Sequence, residues 1–190
     1  MFKKIAERIW KFTGKSDQAN CYYLDFERKM MIDSCNRADR QFLVRDLKYM
    51  IEPSEIKALV FTHLHHDHIG NFDLFENAEL FASAEEIEDF EKDKMSAVLS
   101  EEMVTRFTKK IKPLPERLNE LEVVHVPGHT RGSIALWHEH TKTLFTGDTI
   151  FSMGAYGRTD LPTSSADSMK DSLKKLDKYR YKVMAPGHDY

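Results

Sequence analysis

Four side chains with metal-binding chemistry crowd into one short run: His63, His65, Asp67 and His68 within Thr62-His63-Leu64-His65-His66-Asp67-His68-Ile69-Gly70. Neutral imidazoles offer lone pairs and a carboxylate offers charge. Buried charge without a partner costs several kcal/mol per ion, so a bound cation is the simplest account of the cluster. The run Ala58-Leu59-Val60-Phe61 just before it is apolar and too short for a helix, which predicts a buried strand. The candidate ligands then lie just past a strand's carboxyl end, where open α/β sheets hold their ligands. His66 falls out of the alternating pattern and reads as a surface or helix-start residue.

Three other places repeat the same grammar of a short apolar strand followed by a glycine-flanked polar residue. They are Val123-Val124-His125-Val126-Pro127-Gly128-His129, Thr143-Leu144-Phe145-Thr146-Gly147-Asp148 and Val183-Met184-Ala185-Pro186-Gly187-His188. Glycine lets the backbone pass close to a site. A Pro-Gly-His turn alone is usually a surface turn, but three such turns beside an HxHxDH loop nominate His129, Asp148 and His188 as further ligands. His125, His138 and His140 lack this spacing and read as structural.

The elements that must hold these residues alternate along the chain. Short β-like runs are expected at Arg8–Phe12, Cys21–Asp25, Lys29–Asp33, Ala58–Thr62, Glu79–Ala82, Leu121–Val126, Ser133–His138, Thr143–Thr146 and Lys182–Ala185. Phe42, Leu43, Leu47 and Met50 trace a helical face that Pro53 ends. Ser83-Ala84-Glu85-Glu86 has the form of a capping box. A further helix begins near Ser165 and turns Met169, Leu173 and Leu176 inward. The charged segment 91–118 is expected to be helical, ending at Pro113 and Pro115. No repeat or linker divides residues 1–190, so one domain is expected, with two β-rich halves each backed by helices.

Composition narrows the function. The 190 residues are 41% hydrophobic and 31% charged, as in a globular protein. A formal net charge of -3 gives no electrostatic footprint for nucleic acid. No apolar run approaches the ~20 residues of a membrane span, and Glu7 and Arg8 interrupt any signal-like start. A cytoplasmic protein acting on a small molecule is expected. Cys21 and Cys35 form no disulfide framework and read as small buried side chains.

On these motifs the sequence resembles the metallo-β-lactamase-fold superfamily: Asp33 in Met31-Ile32-Asp33-Ser34, then His63, His65, Asp67 and His68, then His129, Asp148 and His188. The resemblance implies a four-layer αβ/βα sandwich of α/β class with two metals in a groove. It implies that His63, His65 and His129 hold one metal, that Asp67, His68 and His188 hold the other, and that Asp148 bridges them. Asp33 is implied to orient a ligand histidine, although a strand-end aspartate bonding its own backbone is the plainer reading. Zn2+ suits donors that are all nitrogen and oxygen, and Fe or Mn accept the same set. A metal-bound bridging hydroxide, oriented by Asp67 and Asp148, is the implied nucleophile.

The run Gly147-Asp148-Thr149-Ile150-Phe151, followed by Gly157-Arg158-Thr159-Asp160, is similar to the glyoxalase II-like branch and also to persulfide dioxygenases. The first similarity implies hydrolysis of small thioesters or esters. The second implies a mononuclear iron oxidoreductase using His63, His129 and Asp148. Tyr156, Arg158 and Asp160 are candidate substrate residues, with an Arg158–Asp160 ion pair that props the loop as the alternative. The loop Met153-Gly154-Ala155-Tyr156 lacks the Lys-x-Tyr arrangement that contacts glutathione in glyoxalase II, and the sequence ends at Tyr190 without that family's additional helical region. Both departures set the expectation against glutathione itself.

Overall fold

Apolar runs that are buried along their whole length need cover on both faces, and that requirement shapes this molecule. The structure is a computed structural model describing residues 1–16 and 19–189; Tyr190 lies outside the described residues. One sheet has seven strands in chain order: β1 (Lys3–Ala6), β2 (Ile9–Thr13), β3 (Asn20–Leu24), β4 (Met30–Ile32), β5 (Ala58–Val60), β6 (Glu79–Ala82) and β7 (Ile111–Pro113). Pairing is antiparallel from β1 to β4 and parallel from β4 to β7. The second sheet runs in the order β12 (Val183–Pro186), β11 (Thr143–Gly147), β10 (Ile134–His138), β9 (Leu121–His125) and β8 (Arg117–Leu118). Only its β11–β12 pair is parallel.

Period-2 alternation sorts the strand residues between layers. Ile32, Ala58 and Val60 meet Ile134, Leu136 and Phe145 between the two sheets. Met31 and Leu59 point the other way, onto Leu43 and Leu47 of α1 (Arg40–Leu47) and Phe90 of α3 (Ala84–Lys92). Ala135, Trp137 and Leu144 face Leu176 of α6 (Ala166–Leu176). The layers are therefore helix, sheet, sheet, helix: the four-layer α/β sandwich expected from the sequence.

Three expectations are corrected. Segment 91–118 is not one helical stretch. Asp93 and Ser100 each start a new short helix by accepting backbone N–H bonds, giving α4 (Lys94–Val98) and α5 (Glu101–Arg106). The chain then pairs as β7 and β8, and Pro113 is tolerated because β7 is an edge strand. The first strand is preceded by β1, whose Lys3 and Lys4 are exposed as edge residues often are. The capping box is half formed: Ser83 accepts the Glu86 N–H at 3.2 Å, but the Glu86 side chain turns into the protein. Cys21 and Cys35 are buried free thiols. Among the described residues no helix is long and apolar enough to cross a membrane.

Candidate metal centre

All seven candidate ligands come from strand ends that open toward the same side. β5 leads into His63 and His65, and the short helix α2 (His66–Ile69) carries Asp67 and His68. The segments after β9, β11 and β12 carry His129, Asp148 and His188. Their donor atoms gather into three overlapping groups, each within 4.8 Å: His63, His65 and His129; His63, His68 and Asp148; Asp67, His68 and His188. His66 begins α2 and stands outside these groups, with its side chain 39% exposed.

Asp148 straddles the centre. Its Oδ2 lies 3.5 Å from His129 Nε2 and 3.4 Å from His188 Nε2, and its Oδ1 lies 3.4 Å from His68 Nε2. Asp67 Oδ2 lies 3.2 Å from His188 Nε2. Gly187 permits this convergence, since a Cβ there would sit 2.0 Å from Asp148 Oδ1 and 2.9 Å from a His68 ring carbon.

Ring orientations are fixed from outside. Asp33 Oδ2 accepts from His68 Nδ1 at 2.9 Å, which leaves His68 Nε2 facing the cluster. Asp33 is itself held by the Thr62 N–H and hydroxyl, both at 2.8 Å. It directly follows β4, with φ 56°, a left-handed conformation that aspartate tolerates better than most residues. Asp33 does stand at a strand end, but its carboxylate takes Thr62 and His68 as partners, where the plainer reading expected its own backbone. His129 Nδ1 donates to the Arg158 carbonyl at 2.9 Å, which turns its Nε2 inward.

The charges divide the centre in two. Burial, then neighbouring histidines, push the His63 pKa well below its ordinary value; the same causes bring His65 to about 3, and burial lowers His129. These three rings are neutral at pH 7 with lone pairs available. On the other side burial opposes charge, but Asp148, Asp67 and Asp33 outweigh it and raise His68, while hydrogen bonds that His188 donates to Asp148 and Asp67 bring it to about 10. Burial likewise opposes ionisation of Asp67 and Asp148, and the facing histidines hold both below the ordinary carboxylate value.

The donor set fits divalent cations. His63 Nε2 and His65 Nε2 are buried with no hydrogen-bond partner among the described residues, and His65 Nδ1 approaches His129 Nε2 to 2.9 Å. Two ring nitrogens can meet in this way by sharing one proton or one cation. A neutral imidazole with a free lone pair is the form that binds metal.

The sequence of residues 14–188 matches the family profile of the metallo-beta-lactamase superfamily. The chain belongs to this superfamily. A probable metallo-hydrolase of Methanocaldococcus jannaschii is 31% identical over 95% of this chain and 92% of that protein. A hydroxyacylglutathione hydrolase of Haemophilus influenzae is 30% identical over 83% of this chain and 78% of its own. The crystal structure of TTHA1623 in a di-iron-bound form superposes with a TM-score of 0.75 at 24% identity, covering 95% of this chain and 92% of that one. This superfamily member is thus a metallo-hydrolase relative with a His/Asp cluster able to hold metal.

The candidate substrate residues lie at the rim. Tyr156 is 56% exposed. Arg158 and Asp160 form a two-pronged ion pair at 3.0 and 2.9 Å, with both side chains exposed. Arg158 meets the centre through its main chain, and the Gly157 N–H donates to the Asp148 carbonyl at 2.9 Å. Of the remaining histidines, His125 bonds the Arg131 carbonyl, His138 bonds Thr141, and His140 lies near Glu7. Sequence reasoning missed Thr62, which bonds Asp33, and Glu86, whose carboxylate accepts from the Leu64 N–H at 2.8 Å and the Thr130 hydroxyl at 2.5 Å. Only the Ser-x-x-Glu pattern pointed toward Glu86, and it pointed to the wrong partner.

Proposed function

We propose that this protein is a hydrolase of small thioesters or esters that works with two zinc ions. The observation that carries the reading is Asp148, whose one carboxylate reaches toward His129 on one side and His68 and His188 on the other. Such a pair of cations, when bound, supplies Lewis acidity toward a carbonyl and lowers the pKa of coordinated water to about 7.

The chain's own residues do the rest. His63, His65 and His129 present neutral donors, while Asp67 and Asp148 bring the negative charge that a second divalent ion requires. Asp67 Oδ2 is the carboxylate oxygen suited to accept a hydrogen bond from an attacking water and orient it, since its side chain is 17% exposed against 8% for Asp148. Asp33 and the Arg158 carbonyl keep two rings in one tautomer. A departing thiolate, with a thiol pKa near 8.5, needs no general acid, which agrees with a centre built of bases. The Haemophilus influenzae relative is named for hydroxyacylglutathione hydrolysis; small hydroxyacyl thioesters are accordingly the first substrate class for this chain, with neither nucleic acid nor membrane as partner.

The persulfide dioxygenase reading requires a single iron on His63, His129 and Asp148. It gives no role to Asp67, His68 and His188, which also converge, so the two-ion hydrolase is favoured. A panel of acyl thioesters and esters tests it. Turnover is expected that chelator removes, zinc restores and Asp148→Ala abolishes. Oxygen uptake on a persulfide with a single bound iron would overturn the reading.

A further inference from the structure

Glu86 is an anomaly: a carboxylate 2% exposed, on a helix of the outer layer, with no cationic partner at its oxygens among the described residues. Its two oxygens run to two different chain segments. Oε2 accepts from the N–H of Leu64, the residue between His63 and His65. Oε1 accepts from the hydroxyl of Thr130, the residue after His129. The same helix start is pressed onto the segment after His129: the Ser83 hydroxyl donates to the Gly132 carbonyl at 2.6 Å, and a Cβ on Gly132 would lie 2.5 Å from Glu86 N. Thr130 is locked further by Ser133, whose Oγ accepts the Thr130 N–H at 3.1 Å and lies 2.7 Å from its hydroxyl.

From this geometry we propose that Glu86 is a positioning residue that sets the spacing of His63, His65 and His129, and so the affinity of one cation site and not the other. The proposal rests on the reading that the two clusters hold cations. The physical reason is that the three donors come from segments far apart in sequence, 63–65 and 129. Their relative placement depends on whatever ties those segments together close to the ligands. A buried carboxylate bridging one backbone amide and one hydroxyl is a short, stiff tie. The donors Asp67, His68 and His188 are held by other means: Asp33 orients His68, and His188 follows β12. Outer contacts of this kind are typically worth 10–100-fold in metal affinity.

The experiment reads each site alone. In the full chain carrying His188→Ala, zinc affinity measured by chelator competition reports the His63, His65 and His129 group. In the chain carrying His65→Ala it reports the other group. Adding Glu86→Ala is expected to weaken zinc about 10–100-fold in the first background and to leave the second within about threefold. Glu86→Gln is expected to restore binding to within about threefold, because its carbonyl accepts from Leu64 while its amide donates to Thr130, whose proton turns to Ser133. Thr130→Val cuts one arm only and should also weaken the first background, which keeps the test decisive if Glu86→Ala does not fold. Unchanged affinity in the first background would overturn the proposal, as would equal losses in both backgrounds, the mark of general loosening. Failure of the unaltered protein to bind zinc at all would instead overturn the two-cation reading on which the proposal stands.

Discussion

At the residue scale, the backbone passes so close to the candidate ligands that a side chain at the wrong position would collide with them. Gly187 is the sharpest case, because a methyl there would overlap Asp148 Oδ1 at 2.0 Å. Gly187→Ala is expected to lower metal affinity by at least about tenfold while circular dichroism stays that of the unaltered protein; full metal content in the variant would contradict this. Glu86 yields a prediction with a definite sign. Burial raises its pKa from an ordinary 4.5 to about 7, against the hydrogen bonds from Thr130 and Leu64. The folded state therefore holds this proton more tightly than the unfolded chain. The stability it contributes is fully present below about pH 4.5 and is lost as pH rises toward 7. For metal-stripped protein, the difference in urea stability between the unaltered chain and Glu86→Gln should change by on the order of 3 kcal/mol across that window. A difference that does not vary with pH would show that Glu86 keeps its ordinary pKa.

At the scale of elements, legibility in the sequence followed burial. Strands covered on both faces, such as Ala58–Val60 and Thr143–Gly147, stand out as continuous apolar runs bounded by turn residues. The edge strands Lys3–Ala6 and Ile111–Pro113 did not, because a strand partnered on one side tolerates lysine and proline and loses the apolar signature. The candidate ligands were legible because four of them occupy one loop and the other three follow recognisable strand–glycine turns. Glu86 was not, because a capping glutamate and an inward-turned glutamate occupy the same position in the same motif. The packing of sheet on sheet also carries a prediction. Phe145 of β11 is fully buried and meets Tyr22 of β3 edge-on, with ring centroids 5.1 Å apart. Phe145→Ala should cost ~3–5 kcal/mol in denaturant unfolding, and a loss below about 1 kcal/mol would contradict a tightly packed interface.

At the scale of the whole molecule, the sandwich has a division of labour. The inter-sheet layer is apolar and supplies rigidity, while the strand ends on one side converge with their polar residues. His63 through His68 hang from one sheet, and His129, Asp148 and His188 from the other. The centre therefore spans the seam between the sheets, and ligand geometry depends on how the two sheets sit together. This is why small losses in sheet packing should appear first as weakened metal binding, before the protein unfolds. The most direct measurement is elemental analysis of freshly purified protein alongside thioester turnover. The account predicts two zinc ions per chain, with activity that disappears and returns as they are removed and restored. A chain that holds no divalent metal even after supplementation, or that hydrolyses thioesters equally well when stripped, would contradict it.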